Sequence, residues 1–287
     1  MSRRDDLSAI VVGLAPTVLV ATVFILLPVG FSLWLSFWDW PLVGSQRQFV
    51  GLDNWVRLSG DREFWAALKV TALYALGGVP LGAALSLGLA LALKRPLRGG
   101  TLYRLAFFLP VVLSTVVAAL FWEWALQPQL GFVNRGLRAL GLPAPGWLSD
   151  PAWALPALIL IHLWRFSGYH AVVFLAGLQA IPGVYYEAAT IDGAGRWARL
   201  RHVTWPLLRP TTALVLITSA IFSCQVFGPV YVLTGGGPAR STTTLVFYLY
   251  DRAVGLGELG YGVTIGWALF VLLFPLTWWQ FRNWAKE

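Results

Sequence analysis

The chain has 287 residues, 57% of them hydrophobic and 12% charged, with a mean hydropathy of +0.68. Soluble domains carry roughly 25% charged residues, so this composition excludes a water-soluble globular protein. The net charge of +8 invites a polyanion partner, and the single Cys224 excludes an intrachain disulfide and a cysteine-based zinc site.

In chain order, about six apolar segments reach the roughly 20 residues that cross a bilayer: residues 10–35, 66–93, 102–126, 153–178, 210–233 and 260–280. The first exceeds the 7–15-residue apolar core of a signal peptide and lacks a small-residue cleavage site, so it reads as a retained span. Pro16, Pro28, Gly77, Gly78, Pro80, Pro110 and Pro156 fall inside these segments, which membrane bundles tolerate. Residues 36–65, 127–152 and 234–259 are longer connections rich in Trp, Gly and Pro, expected to pack as short helices and turns. The whole reads as one all-α transmembrane domain over residues 1–287.

Twelve basic residues, from Arg3 and Arg4 through Arg196, Arg199 and Arg201 to Lys286, fall at alternate span ends, against eight in the opposite loops. The positive-inside rule then places both termini in the cytoplasm. The basic charge records topology and points to lipid, not to nucleic acid.

The fourth span carries Arg165 about ten residues in, roughly 15 Å along a helix. A charge there costs about 2.5–3.5 kcal/mol on insertion scales, so it should face protein or water. His162, Arg165 and Tyr169 share one helical face, and Thr218, Phe222 and Gln225 share another on the fifth span. Two polar and aromatic stripes of this kind suit a sugar path; they equally suit helix–helix adhesion.

Between these spans lies a polar, basic loop, residues 181–210. It reads as a short helix, a turn at Gly193, and a second short helix closed by proline, with Trp197, Leu200 and Thr204 on one face. Taken alone, such a segment lies flat among lipid headgroups.

The order Glu187-Ala188-Ala189, Asp192-Gly193-Ala194 and Pro206 resembles the EAA loop of permease subunits in binding-protein-dependent ABC importers, carbohydrate-uptake branch (maltose and glycerol-3-phosphate type). Residues 49–54 (FVGLDN), 131–134 (GFVN) and 233–238 (LTGGGP) match the same family in order. The resemblance implies a type I importer permease fold in a bacterial or archaeal inner membrane. It also implies a second homologous permease, two cytoplasmic ATPases carrying ATP and Mg, and an external binding protein. In that setting the loop is a coupling helix docking on an ATPase. Ala188 and Ala189 permit close approach, Gly193 makes a turn that a Cβ would obstruct, and Glu187 and Asp192 accept hydrogen bonds or pair with bases. Trp205 stands where relatives carry an aliphatic residue, and Gly228 stands where many carry an acid.

No G-x-x-x-x-G-K-[ST], HExxH or GxSxG sequence occurs, so the chain is expected to be a transporter subunit rather than an enzyme, with no cofactor or metal of its own. The alternative is an ion-gradient-driven secondary transporter. That class carries internal repeats and buried acids, whereas Glu123 is the main carboxylate in the spans here.

Overall fold

The computed structural model describes residues 13–44, 46–94 and 99–284. Ser45, the first twelve residues and Arg98 therefore lie outside it, including the start of the first expected span. The chain divides into two compact units, one holding the residues up to Phe64 with Tyr248–Phe270, the other Trp65–Phe247 with the C-terminal end.

In the first unit, helix α1 (Gly13–Leu35) is uniformly apolar, yet only 6% of its most hydrophobic window is buried. Phe24 and Leu26 are exposed, as a helix solvated by lipid requires. The loop after it holds more than the expected short helices and turns: it opens with a two-stranded antiparallel pair, β1 (Trp38–Asp39) and β2 (Gln48–Phe49). Aromatic side chains favour such pairing, and Trp38 meets Phe49 edge-on at 5.4 Å. Helix α2 (Asp53–Gly60) follows. Buried Asn54 donates to the carbonyls of Ser36 and Trp38, both at 3.0 Å, so the GLDN sequence knots the loop onto the end of α1.

The same unit holds a charged cluster. Asp61 accepts from the Tyr248 and Tyr261 hydroxyls and from the Glu63 amide at 2.9 Å. Burial pushes the Asp61 carboxyl up, but these donors and the Phe64 amide outweigh it and hold it below its usual 3.8. Burial and the neighbouring Asp61 push the Tyr248 phenol well above its ordinary range. Arg252 bonds Glu63 at 2.7 Å and lies 3.6 Å from Glu258, which Arg57 holds at 2.9 Å.

In the second unit the residues of α3 (Arg62–Leu93) beyond Phe64 pack on α7 (Pro151–Ala180), whose apolar window is 56% buried. Asp150 caps α7 by accepting from the Ala152 amide at 2.8 Å, and Pro151 starts it. Glycine makes the approach possible: a Cβ at Gly78 would stand 3.4 Å from His162, and one at Gly168 would run into the Phe107 carbonyl. The third expected span is not one straight rod. It is α4 (Gly100–Val112) and α5 (Thr115–Ala125), bent by 101° between them. Leu113 is extended (φ −62°, ψ 141°), and Ser114 caps α5 by accepting from Val117 at 3.3 Å.

Helix α6 (Phe132–Ala139) sits in the next loop. There fully buried Asn134 accepts from the Trp147 indole at 2.7 Å and donates to the Pro145 carbonyl at 3.1 Å. The chain then runs through α8 (Gly183–Ile191) and α9, which starts Arg196–Arg199, passes a π turn at Leu200–Thr204 and ends Trp205–Leu207. The fifth span is α10 (Arg209–Cys224) broken from α11 (Gly228–Leu233). The LTGGGP loop is closed by Thr242 and Thr243, which donate to the carbonyls of Gly237 (2.7 Å) and Gly236 (2.9 Å). Helix α12 (Leu245–Tyr250) and α13 (Leu259–Trp284) complete the order. Among the described residues, four helices are long and apolar enough to span a membrane, five with the bent pair, and the sixth expected span appears as the shorter apolar stretch Leu259–Pro275.

Candidate functional site

Two places in the second unit concentrate the residues singled out by sequence. The first is the loop at residues 181–210. Helix α8 has no buried residue, and Ile191 (86% exposed) and Trp197 (73%) project from the elbow as large unpartnered apolar groups. The elbow closes as a Schellman turn: Gly193 donates to Thr190 at 3.1 Å and Ala194 to Ala189 at 2.8 Å, with Asp192 at the cap and Gly193 at φ +77°. A Cβ at Gly193 would meet nothing within 4 Å. Glycine is therefore required for its left-handed backbone and not, as expected, to avoid obstruction. Glu187 and Ala188 are exposed, Ala189, Ala194 and Pro206 half-buried.

Tyr186 anchors this elbow from below. Its hydroxyl lies 3.1 Å from Thr204 Oγ1, and Lys94 Nζ sits 4.5 Å from its ring centre. Thr204 is buried while Trp197 is exposed, so the expected common face does not hold; the π turn between them shifts the helical register. Nor does proline close the second helix. Pro206 lies inside the last segment of α9, just past the π turn, and Pro210 takes a first-turn position of α10, where a missing N–H is free of cost, so the elbow leads almost directly into the fifth span.

The second place is a cavity of about 230 Å³ lined by Tyr74, His162, Arg165, Phe222 and Gln225 among others. It is the gap where two broken spans face α7. Arg165 donates from Nη2 to the Leu113 carbonyl at 3.1 Å, satisfying the group that the α4–α5 bend releases. Gln225 ends the stripe that holds Phe222 and Thr218: it is the C-cap of α10, its amide still bonds Ile221 at 3.1 Å, and it lines the cavity with Phe222 at the second break. Thr218 and Tyr169 do not line the cavity. Thr218 Oγ1 bonds back to Leu214 at 2.8 Å and lies 3.4 Å from His170, while the Tyr169 ring stands 6.4 Å from Phe222. Gly228 lines it instead of an acid, and a Cβ there would press on the Thr115 methyl. Tyr74, fully buried on α3, escaped the sequence reading; a phenol inside an apolar run was its only signal.

Residues 84–282 match the family described as binding-protein-dependent transport system inner membrane component. The chain belongs to this family. It is a multi-pass inner-membrane permease of an ABC importer, and the gradient-driven alternative falls. This permease is 36% identical to the sulfoquinovosyl glycerol transport system permease protein of Agrobacterium fabrum, covering 95% of this chain and 89% of the relative. It is 36% identical to the trehalose/maltose transport system permease protein of Thermococcus litoralis, covering 91% and 88%. Its fold superimposes with a TM-score of 0.83 on a bacterial ABC transporter involved in the import of the acidic polysaccharide alginate, at 24% identity over 99% of this chain and 96% of that one.

Proposed function

We propose that this permease is one half of a pore for a sugar or sugar-like solute, delivered by an extracytoplasmic binding protein. The whole chain acts as one transmembrane permease domain with both termini in the cytoplasm. A second homologous permease supplies the other half, and two cytoplasmic ATPases hold the ATP and Mg. Relatives named for trehalose/maltose and sulfoquinovosyl glycerol support the substrate class.

The observation that carries the coupling role is the exposed apolar elbow. Ile191 stands out beside Glu187 and Ala188 on a helix with no buried residue, and Trp197 projects from the helix that follows the glycine turn. An apolar knob so displayed suits a protein cleft. The cavity at the two helix breaks is the substrate path, with Phe222 offering a ring face and Gln225, His162 and Arg165 polar groups; Thr218 and Tyr169 support it from behind.

Ile191→Asp should strip the ATPases from the complex when it is isolated from solubilised membranes, while this chain remains inserted. Retention of both ATPases at the native ratio would overturn the docking assignment.

A further inference from the structure

We infer that the cavity takes a sugar bearing a fixed negative charge, and that Arg165 reads that charge. The inference rests on the reading of the cavity as the substrate path. None of the residues lining it is acidic, and Arg165 is its one permanent cation. The guanidinium has five donors in a planar fork. One is spent on the Leu113 carbonyl, whereas Nε is buried without a partner. The Tyr74 hydroxyl, on a fully buried side chain lining the same cavity, is also without a partner.

Arg165 is only partly buried beside the void and a single protein carbonyl takes one of its donors, so an acceptor entering there would complete the guanidinium. A neutral hydroxyl would answer the hydrogen bonds but leave the charge uncompensated in a membrane interior. A carboxylate answers both, because its two oxygens match the guanidinium fork. The walls suit a ring: Phe166 and Phe222 stack at 5.4 Å, and the Arg165 guanidinium lies 5.6 Å from the Phe166 centre. At about 230 Å³ the void in this half of the pore has room for one ring.

The test uses the assembled importer in detergent without its binding protein, so that only the pore selects. Glucose and glucuronate share a ring and differ by the carboxylate. Glucuronate should raise the melting temperature at concentrations at least tenfold below those at which glucose does. Arg165→Gln should erase that preference, and Arg165→Lys, which keeps the charge and loses the fork, should retain part of it.

Equal responses to the two sugars would overturn the charge reading while leaving the sugar path standing. An equal shift with sodium chloride at matched ionic strength, or a preference that survives Arg165→Gln, would also overturn it. If neither sugar binds while ATP-driven uptake by the complete importer persists, the path lies elsewhere and both readings of the cavity fail. Should Arg165→Gln not assemble, the native ratio and the Lys variant still decide.

Discussion

Gly193→Ala tests the elbow without touching any contact, because a Cβ there meets nothing within 4 Å and only the backbone at φ +77° resists it. A non-glycine residue in the left-handed region costs about 1–2 kcal/mol. The equilibrium between closed and opened turn then shifts by about 5–30-fold. The hydrogen bonds to Thr190 and Ala189 are lost together, since both depend on this one conformation. Gly195 provides the control: at φ −67° and ψ 174° it caps α9, has equal space around it, and accepts serine, a favoured cap residue. Stimulation of ATP hydrolysis by loaded binding protein should be measured in liposomes carrying the assembled importer. The expected result is weakened stimulation in Gly193→Ala and native stimulation in Gly195→Ser. Equal stimulation in both variants, whether native or reduced, would refute a role for the left-handed turn.

Asp61→Asn should lower stability by about 1.5–3 kcal/mol at neutral pH, the worth of hydrogen bonds to a charged group. Because the Asp61 pKa is depressed on folding, its contribution is present above the ordinary 3.8 and fades only as pH falls through the lower folded value. Thermal melts should show the gap between native and variant closing in that acid range and nowhere above it. Gly168→Ala should cost about 1–3 kcal/mol, because the new methyl meets the Phe107 backbone; an unchanged melting temperature would contradict that close approach. In a Cys224→Ser background, Ala239→Cys, at an exposed position of the LTGGGP loop, should react with an impermeant thiol reagent from outside and Ala194→Cys only after permeabilisation; the reverse pattern would invert the topology.

Sequence gave away the elbow because its chemistry is local: a glycine at the fourth position after the second alanine of EAA fixes the Schellman turn. The sequence motifs in the three longer loops were equally visible, yet Asn54, Asn134 and Thr242 turn out to be loop knots. The bend at Leu113 was hidden because residues 102–126 are apolar throughout, and a free carbonyl leaves no trace in hydropathy. Pro110 followed by Ser114 and Thr115 was the available sign of a stop and a new cap. Likewise, nothing before Gly228 announces the break that follows Gln225. The π turn escaped for a related reason: a 3.6-residue period assumes that no residue is inserted.

The near-continuity of the elbow with α10 makes that helix a lever. Its 16 residues give a rod of roughly 24 Å at 1.5 Å per residue, with the elbow at one end and Gln225 at the other. A tilt of about 10° about the elbow end sweeps the far tip by roughly 4 Å over that length, more than a hydrogen bond can stretch. The cavity wall at Gln225 and the loop end at Leu208 are thus the two ends of one helix, so in the proposed pore a tilt imposed from the loop is delivered at the cavity.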